Sequence, residues 1–450
     1  MTDMTPFEFD MALLEPVWYM MRKGIHIDRK KRLQLRGEYK SKWQTCQEDL
    51  DRVVGVPLNV NSPKQVKDFL YTTLNLPMRT VAKKPSVNED SLRSLMALCQ
   101  DKMNTIVQEK ARVRWMRGYL VILLILKIRG LRKRLSSYIE APIDEDGRMR
   151  TVLSVGGTET FRFSSSKTLW GTGCNLQTIP RELRCMFTAD DGYELCEFDL
   201  NRGESWIYSH LAEDYEMMRI HQEGRDFHAE TACALSQLFG ERIEIDKWDE
   251  YEEANPEKAY KIRYLGKRSN HAFAYRMGPY RAAEVVNSEA DDTGITITVA
   301  EAKKMRQLWL RKYPMIPNWW SRIEVALQED RTLESPLGRK WTFFARWGES
   351  LFKEATARIP QSTSVDYLNQ GMLRVYHELV VPGKFDLQLL HQNHDSILVQ
   401  YRQTHRDRVI PTVIELMEHP IEVNGHTITI PAEPLYGANW QELTEWKRVA

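Results

Sequence analysis

The spacing of apolar and polar positions divides the chain into a helical first third and a mixed remainder. From about residue 10 to 145 apolar residues recur at helical spacing, beginning with residues 11–21. Ser62-Pro63-Lys64-Gln65 has the Ser-x-x-Gln form of a capping box with Pro at the first helical position. The longest apolar run, Tyr119 to Leu126, lies between Arg117 and Lys127. It is far shorter than the roughly 18 residues of a membrane span and reads as the buried part of a core helix. Beyond residue 145 the period changes. Residues 193–199 read as a strand and 204–213 as a helix, which sets Asp199 at a strand end. Residues 256–285 and 300–329 read as helices, the second interrupted near Pro314 and Pro317. Residues 386–391 and 396–401 read as a hairpin with Asp395 at its tip, and Asp144-Glu145-Asp146 as a hairpin loop.

Composition narrows this picture without naming a function. The chain has 450 residues, 42% hydrophobic and 28% charged, with 63 Lys+Arg against 62 Asp+Glu. This describes an ordinary globular protein with more than one core and excludes dominant disorder. A net charge of +1 excludes anion binding by bulk basicity, so any such surface must be local. One local candidate is residues 110–134, where nine Lys and Arg face a single neighbouring Glu109; the acidic stretch 241–257 balances it as a solvated loop or helix face. Cys46, Cys99, Cys174, Cys185, Cys196 and Cys233 form no C-x-x-C pair, which argues against a disulfide framework or structural zinc. Residues 1–10 show no export signal, so the expected compartment is cytoplasmic, with no membrane partner.

Three constellations carry candidate chemistry. Asp199 at a strand end, with the Leu200 backbone beside it and Glu204 at a helix start, offers hard oxygen ligands to a divalent metal; the plain alternative is a helix cap. Arg263, Lys267, His271 and Tyr275 are four apart. At about 100° per residue they advance by only about 40° per step, so they line one helix face, cationic at one end and ring-bearing at the other. That face matches a nucleoside triphosphate; the alternative is a solvated basic helix. His394-Asp395 is ordinary turn chemistry unless Asp395 meets Asp199 in one sheet. Two carboxylates so placed suit two metal ions about 4 Å apart.

Taken in order, Arg162-Phe-Ser-Ser, Asn175-Leu-Gln-Thr-Ile-Pro180, Asp199-x4-Glu204, Asp226-Phe-His228, Arg263-x3-Lys267-x2-Asn270-x4-Tyr275, Gln361 and His394-Asp395 resemble the polymerase module of family A DNA polymerases. The resemblance runs from Phe7 to Trp446. It implies an α+β right-hand fold with a helical thumb, an antiparallel-sheet palm and helical fingers. The expected division is 1–30 as an approach segment, 31–145 as thumb, 146–203 as the first part of the palm, 204–345 as fingers and 346–450 as the rest of the palm. It implies DNA-directed DNA synthesis from a primer 3′-hydroxyl and dNTPs, with two Mg2+ ions, replaceable by Mn2+, held by Asp199, Asp395 and the Leu200 carbonyl. Lys267 would protonate the leaving pyrophosphate. Glu204, packed on Tyr275, would exclude a ribose 2′-hydroxyl; Arg263, Lys267, His228 and His271 would meet the nucleotide; Arg162, Gln177, Asn270, Gln361 and His394 would lie along primer-template DNA. The chain as given leaves no space for a proofreading 3′–5′ exonuclease, so none is expected within it. This is similar to phage polymerases whose exonuclease is separate, and a separate exonuclease, a helicase or a processivity factor is an expected partner class.

Departures from the family pattern keep a competitor open. His271 stands where the family has Phe or Tyr, Ser396 where it has Glu, Arg276 where it has Gly, and Leu-Asn-Arg follows Asp199 in place of Tyr-Ser-Gln. His-Asp-Ser and Lys-Arg-Ser-x4-Ala-Tyr are also similar to single-subunit phage RNA polymerases. Glu204 weighs against a ribonucleotide polymerase or primer synthase, which needs a small residue there. A catalytically silent DNA-binding subunit ranks third, because both aspartates, Arg263 and Lys267 are all present.

Overall fold

A computed structural model describes residues 4–447, apart from the side chains of residues 291 and 292. Residues 1–3, part of the stretch read for an export signal, lie outside it. The first helix, α1 (Pro6–Lys23), starts on a capping box between Thr5 and Glu8, with Pro6 at its first position, and stops at Gly24 with φ 64°. Helix α2 (Arg29–Val54) starts on Asp28, whose carboxylate accepts from the N–H groups of Lys30 and Lys31, and ends at left-handed Gly55. With α3 (Glu89–Thr105) and α4 (Glu109–Arg134), α2 encloses a core of Leu50, Leu92, Leu95, Val121, Ile122 and Ile125. Of the apolar run 119–126, Val121, Ile122 and Ile125 lie on the buried face of α4, whereas Leu120 is exposed. At Ser62 the expected box is half formed: Ser62 accepts from the Gln65 N–H, but the Gln65 side chain accepts from Asn59.

The basic face of α4 is smaller than its composition suggests. Arg117 donates to the Val53 and Val54 carbonyls, and Arg129 to those of Val60 and Val87. Guanidinium groups are here satisfying carbonyls that the end of α2 and the following loop leave open. Lys110, Arg112, Lys127, Arg132 and Lys133 remain exposed.

The mixed part begins with the antiparallel pair β1 (Val152–Ser154) and β2 (Ser164–Ser166). Its further principal elements are β3 (Tyr193–Leu200), α5 (Gly203–Ala212), α6 (Phe227–Leu235), α7 (Pro256–Phe273), α8 (Pro279–Ser288), α9 (Val299–Lys312), α10 (Ile316–Glu329), α11 (Glu349–Val375), β4 (Gln388–Asn393), β5 (Ser396–Arg402), α12 (Arg406–Met417), β6 (Ala432–Gly437) and β7 (Thr444–Glu445). The five strands β4-β5-β3-β6-β7 form one antiparallel sheet with β3 at its centre. Phe198 and Val399 from the sheet share a core with Leu13 of α1, Tyr367 of α11 and Val413 of α12. Arg339, nearly fully buried, clamps this layer by binding Asp366 of α11 and Asp10 of α1, each at 2.6 Å. Burial pushes the Asp366 carboxyl up to about 6 although Arg339 pulls it down.

A second core, with Phe227, Leu265, Trp309, Tyr313 and Ala355, joins α6 to α10 with the first half of α11. It draws on residues up to Ile359, past the expected limit of 345 for the fingers. The single helix expected over 256–285 is broken: α7 ends at Phe273, Arg276 takes φ 62°, and Pro279 opens α8. Proline has no N–H for a helix interior and disfavours helical backbone in the residue before it, so α8 cannot extend back through Gly278, and the break spans residues 274–278. The interruption expected near Pro314 and Pro317 separates α9 from α10. Asp144 and Asp146 lie in a turn, both bound to Arg150 at 2.7 and 2.6 Å. No helix among the described residues is long and apolar enough to cross a membrane.

Candidate active site

Register brings the two aspartates together. On β5 Ser396 pairs with Asp199, and on β6 Glu433 does so from the other side. The β4–β5 hairpin reverses through His394 and Asp395, His394 with φ 52°, and the Leu200 N–H donates to the Asp395 carbonyl at 3.0 Å. In an antiparallel strand a residue's N–H and C=O project to the same side, so the Leu200 carbonyl also faces the hairpin tip. Water reaches Asp199, yet the carboxylate lies in a recess of dense protein. Burial first, then the charges of Asp395, Glu197 and Glu433, push its pKa up to about 8. Asp395 Oδ1 is buried without a hydrogen-bond partner. Two mutually repelling carboxylates beside a carbonyl fit a hard cation such as Mg2+. Among the described residues no three His, Cys, Asp or Glu side chains converge on a metal position. The remaining ligands would be water, backbone and substrate oxygens, as Mg2+ prefers.

Glu204, in the first turn of α5, accepts from Arg162 Nη2 at 2.7 Å and from the Tyr275 hydroxyl. Arg162 Nη2 also lies 3.6 Å from Asp395, so one guanidinium bridges the two acids. Burial raises the Glu204 pKa against the pull of Tyr275 and Arg162, and burial and Glu204 together raise that of Tyr275. Tyr275 therefore belongs to the site but not to the helix face: the stripe of α7 ends at His271, because the helix stops two residues before Tyr275.

On α7, Gly266 is the residue that allows close packing. A Cβ there would meet the His228 carbonyl at 2.6 Å and the Ala232 nitrogen at 2.9 Å. The approach of α6 brings the His228 ring to 5.9 Å from His271, near Arg263, with Lys267 exposed on the same face. Asp226 caps α6 through the His228 N–H at 2.8 Å and binds Arg263 at 2.7 Å. Burial would push Asp226 up, but Arg263 and the cap bonds hold its carboxyl below the usual range. Burial pushes His228 down to about 3, and burial with Lys267 lowers His271, so both rings are neutral near pH 7.

Asn270 departs from its expected place along DNA. Its side chain is buried among Thr231, Trp309, the Phe227 carbonyl and the His228 ring, all within 3.3 Å, and so orients His228. Gln177 is also mostly buried and donates to the Gln392 carbonyl at 3.3 Å, next to the hairpin turn. Gln361 is half-buried on α11, and His394 is half-buried at the turn, its pKa lowered by burial and Arg162. Arg162 Nε, Asn175 Oδ1, Arg184 Nε and His394 Nδ1 are buried without hydrogen-bond partners. These four atoms lie on the segments around the two aspartates, where a polar ligand or water could satisfy them.

Several contributors escaped sequence reasoning. Ser396 donates to Glu197 at 2.9 Å, and Glu197 also receives Trp440 at 3.1 Å and Arg184 at 3.4 Å. Glu197 is two residues from Asp199, so strand alternation alone puts both on one face. Glu433 required the β3–β6 register, and Arg202, held by the Arg225 carbonyl at 2.9 Å, required the left-handed turn before α5.

The profile of DNA polymerase family A matches residues 29–442. The chain belongs to this family. It is 25% identical over 97% of its length to DNA polymerase I of Helicobacter pylori and 26% identical over 92% to the thermostable DNA polymerase I of Thermus aquaticus. It spans 44% and 46% of those proteins, a little under half of each. Its fold is that of the POL domain of Pol1 from M. smegmatis, solved in complex with DNA primer-template and dNTP: TM-score 0.75, 21% identity, covering 96% of this chain and 70% of that one. The mixed α/β fold is accordingly the right-hand polymerase fold.

Proposed function

We propose that the chain is a DNA-directed DNA polymerase that extends a primer 3′-hydroxyl with dNTPs. The observation that carries this reading is the placement of Asp199, at the end of β3, beside Asp395 in the β4–β5 turn, in a family A chain. Asp199, Asp395 and the Leu200 carbonyl would hold two Mg2+ ions, with Mn2+ as a substitute. Bound there, the ions supply the charge that activates the attacking hydroxyl and stabilises the leaving oxygen. Arg263 and Lys267 bind and orient the triphosphate, and Lys267 gives a proton to the departing pyrophosphate. Neutral His228, held by Asn270, presents a ring nitrogen to the same group. Glu204, fixed by Tyr275 and Arg162, closes the space a 2′-hydroxyl would need. Arg162, Gln177, Gln361 and His394 line the primer-template side. We assign 31–145 as thumb, 146–203 and 360–450 as palm and 204–359 as fingers.

Primer extension with dNTPs and with rNTPs tests this. Wild type extends with dNTPs, Asp199→Ala and Asp395→Ala do not, and Glu204→Ala gains rNTP use. Preferred use of rNTPs by wild type would favour the ribonucleotide reading that Ser396 and Lys267-Arg268-Ser269 keep open. The aspartate pair is the only catalytic constellation we assign, so purified protein should not degrade a mismatched primer from its 3′ end.

A further inference from the structure

Between β2 and the turn Leu176–Thr178 the chain makes a braced loop with an apolar tip. Leu169 is 94% exposed and Trp170 87% exposed, whereas Thr168 and Cys174 on either side are buried. The Thr168 N–H donates to the Thr172 carbonyl at 2.9 Å, the Gly171 N–H to the Thr168 carbonyl at 3.0 Å, and the two threonine hydroxyls lie 2.7 Å apart. The stem is anchored as firmly. Thr151 donates to the Ser166 carbonyl at 2.9 Å, the Leu176 N–H donates to Ser165 Oγ at 3.0 Å, and the Gly173 N–H donates to the Pro142 carbonyl at 2.6 Å. Gly173 is required: its φ is 72°, and a Cβ would come within 1.8 Å of the Arg150 carbonyl.

Isolated exposed apolar residues are normal and need no explanation. Two large neighbours held outward by a closed ring of hydrogen bonds are a different case, because a small polar tip would close the same turn. Charge says what the tip meets. Residues 162–181 contain no Asp or Glu and carry Arg162, Lys167 and Arg181, in a chain whose net charge is only +1. Both flanks also carry buried orphans, Arg162 Nε before the loop and Asn175 Oδ1 after it. An acid-free segment with cations on both sides of an apolar tip is complementary to a duplex groove, with phosphates at its edges and apolar sugar faces along its walls.

We infer that Leu169 and Trp170 form an apolar wedge that seats in the minor groove of the primer-template duplex. The inference rests on the polymerase reading for the duplex being there. The wedge adds contact without neutralising phosphate, which separates it from the cations around it. Lys167 does the opposite, contacting a phosphate at the groove edge.

Fluorescence anisotropy of a labelled primer-template, measured over a series of salt concentrations, tests this on the full chain. Trp170→Ala, at an exposed tip that leaves the fold intact, should weaken binding roughly ten- to a hundredfold. The slope of log K against log salt should stay unchanged, while Lys167→Ala should reduce that slope by about one. Trp170→Phe should retain most of the affinity. Binding of Trp170→Ala within twofold of wild type would overturn the wedge. So would a loss confined to single-stranded DNA, or a slope change like that of Lys167→Ala. Primer extension by wild type is read separately: its absence would sink the polymerase reading, whereas active wild type with an indifferent Trp170→Ala would sink the wedge alone.

Discussion

The palm end of β3 and the outer face of α7 are built on opposite plans. At the palm, register sets Asp199 beside the hairpin turn, where among the described residues Asp395 Oδ1 accepts no hydrogen bond and has only Arg162 Nη2, shared with Glu204, at 3.6 Å. On the fingers, one of the two cations is already answered: Arg263 is bound to Asp226, Lys267 stays exposed, and His228 is held neutral by burial beside Asn270. On the polymerase reading proposed above, the palm is preorganised for cations it must gain, whereas the fingers carry an internal anion that a triphosphate would displace or share. Electrostatic preorganisation costs no rearrangement at the moment of reaction. A counter-ion supplied in cis does require one, and it keeps the cationic face ordered before substrate arrives.

The sharpest break in the comparison is at the palm. Asp199→Ala or Asp395→Ala should lower kcat by about 10³-fold or more, since each removes charge aimed at the reacting centre. The two act as one unit, so the double variant should be scarcely worse than either single one. Single-turnover extension of a labelled primer measures this; losses that multiply in the double variant would show the two aspartates to be independent.

At the fingers the expected effects are smaller and divide differently. Lys267→Ala should cost about 10²-fold in kcat by removing both a phosphate contact and a proton donor. Asp226→Asn is the more telling change. Asparagine caps a helix as well as aspartate does, so α6 should keep its start while Arg263 loses its counter-ion. The KM for dNTP should then fall several-fold with thermal stability nearly unchanged. A rise in KM would mean that Asp226 positions Arg263 for substrate instead of competing with it.

Much of the palm was legible because its period is short and strict. Alternation over 193–199 and the two runs around His394-Asp395 lead directly to strands β3, β4 and β5, and the carboxylates follow from their ends. The fingers were less legible because helical periodicity is blind to where a helix stops. Arg263, Lys267 and His271 are correctly one stripe, but Tyr275 continues the same arithmetic past Phe273, where Arg276 and Pro279 have already turned the chain. The burial of Asn270 was illegible for a related reason: position in a motif does not say which face of α7 a side chain takes, and its face is the one packed on α6 and α9. Composition likewise overstated the basic face of α4, since a count of arginines cannot show that Arg117 and Arg129 are holding carbonyls.

The smallest effect separates the two regions by stability instead of rate. His391 on β4, beside Trp440, and His221, whose ring lies 4.9 Å from Trp206 and 5.0 Å from Phe227, are buried in palm and fingers respectively, and burial pushes each down to about 3. In the unfolded chain each titrates near its ordinary value of about 6.5. Above that pH neither state binds the proton, and the folded chain keeps its full stability. As pH falls from about 6.5 towards 3 the unfolded state takes up protons that the folded state refuses, so stability declines by up to about 1.4 kcal/mol per pH unit for each histidine. Urea midpoints at pH 7.5, 6 and 5 should therefore fall. His221→Phe, which keeps the ring contacts, should make the decline shallower for the fingers, and His391→Phe should do so for the palm. An unchanged pH slope in either variant would mean that its histidine is protonated, and solvated, in the folded protein.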